Sequence, residues 1–167
     1  MRLGLILLPL VPLLLIGCEP RQKAPHAFLY EGWPIQGSMA DAQRAGFTDC
    51  TKVSRFVRCV RTGVMLKGKG PFIAAVDSLY DDGSGGFYEL LFWYPGSQKD
   101  DGVNAVGALL AEQGWQLCRT GPNENTGDQE IYTKPGSPVR FSIDISYWGK
   151  RRLRILPELH QPTGHCW

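Results

Sequence analysis

PFIAAVDSLYDDGSGGFYELLFWY, residues 71–94, decides the fold. Phe72 to Tyr80 and Phe87 to Tyr94 are both strand-like, and DDGSGG (81–86) between them is made of turn formers. Two apolar runs around an Asp- and Gly-rich stretch make an antiparallel hairpin. Asp77, Asp81 and Asp82 read as turn chemistry, because a calcium loop needs regularly alternating acids and a closing Glu. The run from Phe87 to Tyr94 is apolar on both faces, which places it centrally, with cover on both sides. The other reading leaves Tyr88 and Tyr94 as anchors for a protein partner.

Working outward, PGSQKDD (95–101) breaks the pattern. A helix follows from about Gly102 to Gln113, with Val103, Val106, Leu109 and Leu110 on one stripe and Gly114 as its stop. Trp115–Arg119 is a strand, TGPNENTGD (120–128) a loop, Gln129–Lys134 a strand and PGSP (135–138) a turn. Val139, Phe141, Ile143, Ile145 and Tyr147 alternate with Arg140, Ser142, Asp144 and Ser146, the cleanest period-two strand in the chain. Trp148 to Arg151 turns into a last strand ending near Leu156. Upstream, Ser38-Met39-Ala40-Asp41 fits a capping box and predicts a helix from Met39 to about Ala45, stopped by Gly46. Phe47–Thr51 and Ser54–Thr62 are strands, and KGKGP (67–71) is a loop.

The expected fold is therefore α+β: an antiparallel β-sheet with two short helices packed on it, all in one domain from residue 29 to 167. The order α-ββββ occurs twice, in 38–94 and 101–156. Both helices end in Gly, an aromatic residue, two more residues and Cys: Gly46-Phe47-Thr48-Asp49-Cys50 and Gly114-Trp115-Gln116-Leu117-Cys118. That correspondence raises a tandem duplication as an alternative to unrelated halves. The layout resembles small periplasmic inhibitors of the β-lactamase-inhibitor type and small lipoproteins of the outer-membrane assembly machinery. The likeness is one of layout, and layout does not fix function.

Of 167 residues, 43% are hydrophobic and 20% charged, a globular composition. The 20 glycines and 12 prolines suit a turn-rich fold with many short strands. The formal net charge of +2 gives no support for nucleic-acid binding. Residues 1–17 contain Arg2, an apolar run from Leu3 to Ile16 and then Gly17, the grammar of a secretory signal. The run is too short for a comfortable membrane span and contains Pro9 and Pro12. Leu15-Ile16-Gly17-Cys18 resembles the bacterial lipobox. That resemblance implies cleavage before Cys18, a diacylglycerol on its sulfur and acylation of the new amine. Two or more acyl chains hold a protein stably on a bilayer. Glu19 follows in place of the Asp that marks inner-membrane retention in that family, which implies a periplasm-facing outer-membrane anchor. Residues 19–27 (EPRQKAPHA) are polar and Pro-rich, so 18–28 reads as the lipidated Cys and a flexible spacer.

Cys50, Cys59, Cys118 and Cys166 remain, an even number in an exported chain. Cys50–Cys59 is the favoured pair, since DCTKVSRFVRC (49–59) can form two adjacent strands. Cys118–Cys166 then follows by elimination and fastens the tail PELHQPTGHCW (157–167). The rival is a metal site of Cys166, His165 and His160, whose spacing lacks the tight ligand pairs of zinc sites.

Motifs for catalysis are scarce. The chain has no G-x-S-x-G, H-E-x-x-H, Walker or G-x-G-x-x-G motif, and Gly83-Ser84-Gly85-Gly86 is followed by no helix to cradle a phosphate. No catalytic residue, metal ligand or cofactor is assigned. The basic run Lys150-Arg151-Arg152-Leu153-Arg154 puts Arg152 and Arg154 on one strand face, beside Lys150, Arg151 and Trp148 at the turn. These residues can grip an anionic partner, or form a charged edge that resists sheet-to-sheet association. The expected function is a non-enzymatic lipoprotein that binds an envelope protein. The alternatives are a tethered inhibitor of a hydrolase such as a lysozyme, and a hydrolase whose site carries no local motif.

Overall fold

A computed structural model describes residues 21–96, 101–120, 129–145 and 151–158. A small hairpin of β1 (Phe28–Tyr30) and β2 (Trp33–Gln36) leads into α1 (Met39–Arg44). Four strands follow: β3 (Asp49–Val53), β4 (Phe56–Leu66), β5 (Lys69–Asp77) and β6 (Leu90–Trp93). Then come α2 (Asp101–Glu112) and four more: β7 (Gln116–Thr120), β8 (Gln129–Thr133), β9 (Val139–Asp144) and β10 (Leu153–Pro157). All eight strands after α1 form one sheet in the order β3-β4-β5-β6-β10-β9-β8-β7. Each group of four is an antiparallel meander running from an outer edge to the centre, and β6 and β10 join the two.

Alternation along the strands divides the side chains between two faces. Phe72, Ala74 and Val76 of β5, Leu90 and Phe92 of β6, Leu153 and Ile155 of β10, and Val139, Phe141 and Ile143 of β9 are buried in one core. Both helices and the small hairpin cover this face. They bring Ile35, Ala42, Phe47, Val103, Val106 and Leu110 into the same cluster. Trp33 meets Phe92 edge-on with ring centroids 5.5 Å apart, and Trp115 meets Phe141 edge-on at 4.8 Å. At Gly107 of α2 an added Cβ would lie 2.8 Å from the Tyr132 hydroxyl, so glycine is what lets this helix approach β8 so closely.

The helix ends follow the sequence. Ser38 caps α1: its hydroxyl accepts from the Asp41 N–H at 3.2 Å, and the Asp41 carboxylate accepts from the Ser38 N–H at 2.8 Å. Gly46 and Gly114 adopt φ +90° and +78°, which side chains with a Cβ rarely tolerate. The next N–H then bonds back five residues, Phe47 to Ala42 O at 3.1 Å and Trp115 to Leu110 O at 3.0 Å. Both aromatics fold under the helix they leave.

Two expectations are corrected. β4 continues past Thr62 to Leu66, and Lys69, Gly70 and Pro71 belong to β5, so the expected 67–71 loop shrinks to a turn at Lys67-Gly68. In the run 87–94 only Leu90–Trp93 is strand, while Phe87 makes an isolated bridge to Gly37. The expected burial of that run on both sides holds at its centre: Leu90 and Phe92 face the helices, and Leu91 on the other side is 2% exposed. The hairpin of β1 and β2 was not anticipated. Its turn places Glu31 and Gly32 at φ +49° and +81°, and Pro34 in its second strand disguised it. Ser146 and Tyr147, expected at the end of β9, lie outside the described residues.

Nothing lies within 4 Å of a Cβ added at Gly114, so Gly114→Ala tests backbone strain alone. We expect a loss of roughly 1 kcal/mol, read as a lower urea midpoint with an unchanged slope. Ser38→Ala should cost about the same by removing the α1 cap.

Candidate functional site

The second sheet face carries no helix or strand among the described residues. Its side chains form rows across the strands, set by register. One row runs Val60–Ala75–Leu91–Arg154–Ser142–Ile131–Cys118. A neighbouring row holds Ile73, Trp93, Arg152 and Asp144, since Ile73 pairs with Trp93 and the Asp144 N–H donates to the Arg152 carbonyl at 2.9 Å. On the other side of the first row, Arg58 faces Asp77 across β4 and β5. The result is a buried apolar centre at Ala75 and Leu91, flanked by half-buried arginines and carboxylates.

Arg58 and Asp77 form a bidentate ion pair, Nε to Oδ1 at 2.7 Å and Nη2 to Oδ2 at 2.6 Å. The same guanidinium lies over the rings of Phe56 and Trp93, 5.3 and 5.7 Å from their centroids. Such planar packing suits Arg and not Lys. Glu89, two residues before Leu91 on the same face, is held above the usual carboxylate range. Burial is the main cause. The positive charge of Arg154 opposes it, Asp77 adds to it, and Arg152 and Arg58 oppose it further. Arg154 contrasts with Arg58. Its Nε is buried without any hydrogen-bond partner.

The basic run of the sequence is divided by the fold. Arg152 and Arg154 lie on the face away from the helices. Arg151 reaches the other way, donating from Nη1 to Asn104 Oδ1 of α2 at 2.6 Å. Trp148 and Lys150 lie outside the described residues, as do Cys18, His160, His165 and Cys166. Cys50 and Cys59 are directly opposed on β3 and β4 and joined by a disulfide. Cys118 is also disulfide-bonded, to a partner outside the described residues. Tyr94 donates its hydroxyl to Gly70 O at 3.2 Å and packs on Phe72, while the Tyr88 hydroxyl accepts from Gln22 at 2.9 Å.

The segment 21–27 lies along the loop that joins β5 to β6. Arg21 pairs with Asp82, and the Gln22 N–H donates to the Tyr80 hydroxyl at 3.3 Å. Sequence reasoning missed Arg58, Asp77, Glu89 and Trp93 as members of one surface, and Asp77 is a strand residue in an ion pair, not a turn acid. The available signal was Glu89, a single charge inside an otherwise apolar run.

Comparison with protein families, with curated proteins and with solved structures finds no match for this chain. Among the described residues no helix is long and apolar enough to cross a membrane.

Glu89 yields a pH prediction. With its carboxyl raised in the folded state, the folded chain holds a proton that the unfolded chain has lost, so this group makes stability fall as pH rises through the window between the two values. Glu89→Gln should be more stable than the parent at neutral pH and lose that advantage below the ordinary carboxylate range. Denaturant titrations from about pH 4 to 8 read the effect. Parallel pH curves for the two chains would refute it.

Proposed function

We propose that this chain is a lipid-anchored, periplasm-facing binding module without catalytic activity, and that the sheet face away from the helices is its working surface. The observation that carries the reading is the asymmetry of the sheet among the described residues: both helices and the hairpin pack on one face, and the other carries the half-buried Trp93, Ile73 and four arginines around a buried centre. Aromatic and Arg side chains are the types that dominate protein interfaces. The apolar run ending in Leu15-Ile16-Gly17-Cys18 supplies the tether, with Cys18 acylated and the outer membrane as its site. The partner is an envelope protein at the membrane surface.

The two halves, 38–94 and 101–156, are read as products of a tandem duplication. Support comes from the repeated order α-ββββ, the matched glycine caps at Gly46 and Gly114, and the cysteines four residues after each cap. The second disulfide is assigned to Cys118 and Cys166.

Cys18→Ala should abolish lipid labelling and release the protein from membranes. Continued membrane partitioning of that variant would place the tether elsewhere. A photo-crosslinking residue at the half-buried Ile73, on the face away from the helices, should give adducts with an envelope protein in intact cells, whereas one at the exposed Ala108 of α2 should not. The reverse pattern would move the working surface to the helices. Peptide mapping without reductant should recover Cys118 joined to Cys166, and a Cys18–Cys118 link would overturn both the tether and the pairing.

A further inference from the structure

We infer that one corner of the domain, made by the β3–β4 turn and the loop joining β5 to β6, rests on the phospholipid headgroups of the membrane that holds Cys18, and that residues 21–27 are the strap that keeps it there. The inference rests on the acylation of Cys18 and adds which end of the domain faces the bilayer.

The strap is fastened along its length. Arg21 forms an ion pair with Asp82 and lies over the Tyr80 ring, 5.6 Å from its centroid. The Gln22 N–H donates to the Tyr80 hydroxyl at 3.3 Å, and its side-chain amide donates to the Tyr88 hydroxyl at 2.9 Å. A Cβ added at Gly86 would lie 2.8 Å from Pro25 and 3.0 Å from Ala24, so glycine lets the loop and the strap pack closely. The Gln36 side chain donates to the His26 carbonyl at 3.3 Å.

Chain geometry then sets the reach. Arg21 follows Cys18 by three residues. Each step spans at most about 3.6 Å, so whatever path the chain takes, the two residues stay within roughly 11 Å. A sulfur that carries diacylglycerol lies at the level of the headgroups, because its acyl chains are in the hydrocarbon. The Asp82 loop is therefore held against the membrane surface for as long as the strap is docked. β5 is nine residues long, which puts Lys69 at its other end roughly 26 Å from Asp77, farther than the tether reaches.

The corner has a surface that suits headgroups. Lys52 donates to Asp81 at 3.0 Å, and Ser78 and Val57 exchange two hydrogen bonds, so the turn and the loop are joined. Val53 and Leu79 are 37% and 43% exposed there, apolar groups that can enter the interfacial layer. The exposed charges of strap, turn and loop are Arg21, Lys23, Lys52 and Arg55 against Asp81 and Asp82, four against two. The half-buried acids nearby, Glu89 and Asp77, face Arg154, Arg152 and Arg58. The positive excess is drawn to anionic lipid.

The test uses the full-length acylated chain, purified from membranes and placed in vesicles of phosphatidylethanolamine and phosphatidylglycerol, with some lipids carrying a nitroxide on the headgroup. A fluorescent amino acid is introduced at Val53, Leu79 or Lys69, one per chain. Probes at Val53 and Leu79 should be quenched about threefold more than the probe at Lys69, which stands a strand's length away. The double substitution Arg21→Ala and Gln22→Ala should leave the chain floating with the vesicles and erase the difference between Leu79 and Lys69. Equal quenching at all three positions, or stronger quenching at Lys69, in a chain that floats would overturn the inference and leave the lipid anchor standing. A difference that survives the double substitution would refute the strap. A chain that does not float with the vesicles would overturn the anchor and the inference together.

Discussion

The two meanders are held in one sheet by β6 and β10, which meet at only three paired positions: Leu90 with Ile155, Leu91 with Arg154, and Phe92 with Leu153. Four of these six side chains, Leu90, Phe92, Leu153 and Ile155, are fully buried on the covered face. Burying each contributes about 2 kcal/mol, so the joint owes its strength to packing more than to its few ladder bonds. Everything else follows from that seam. It puts Trp33 and Ile35 of the small hairpin over the centre of the sheet, where β2 packs against both β6 and β10. It also brings Arg152 and Arg154 from the end of the chain beside Leu91 and Trp93 from its middle.

The centre of the sheet is well anchored, and its edges are less so. β3 is exposed at all five of its positions, so apolar burial gives it little hold. The Cys50–Cys59 disulfide ties it to β4 from directly opposed positions. β7, the other edge, exposes Leu117 and also carries a disulfide cysteine, Cys118. Each edge strand therefore has a covalent fastening where side-chain packing is weakest. Covalent links are an effective substitute for burial in an oxidising compartment.

What was legible in the sequence was local. The capping box at Ser38, the glycine stops at Gly46 and Gly114 and the turn before Val139 each act over a few residues, and the helices fall within a residue or two of expectation. Strand extents were less legible where two signals competed. Gly63 and Pro71 look like breakers, yet the register simply shifts around Gly63 and β5 runs through Pro71. The pairing of β6 with β10 was illegible, because it joins residues more than 60 positions apart and no short pattern encodes it. The candidate site shared that fate. Arg152 and Arg154 could be read as one face of a strand from their spacing. Their neighbours Glu89, Trp93, Asp77 and Arg58 come from strands that only the seam brings alongside.

The contrast between Arg58 and Arg154 shows that one sheet face holds two guanidinium groups in different ways. Both arginines are partly buried on the same face, and both feel Glu89. Arg58 is closed: it has a bidentate acid and aromatic rings beneath it, an arrangement that fixes its rotamer and neutralises its charge. If the face were only a stable surface, the same solution would be expected at Arg154, because Ser142 opposite it could be replaced by an acid at little steric cost. Instead Ser142 donates its hydroxyl to Gln129 at 2.6 Å and leaves the guanidinium alone. A buried donor left without an acceptor at the centre of a well-packed sheet is a local weakness of the free chain. The seam between β6 and β10 tolerates it because the four side chains packed on the covered face carry the joint, so the stability of the centre does not depend on how the Arg154 guanidinium is satisfied.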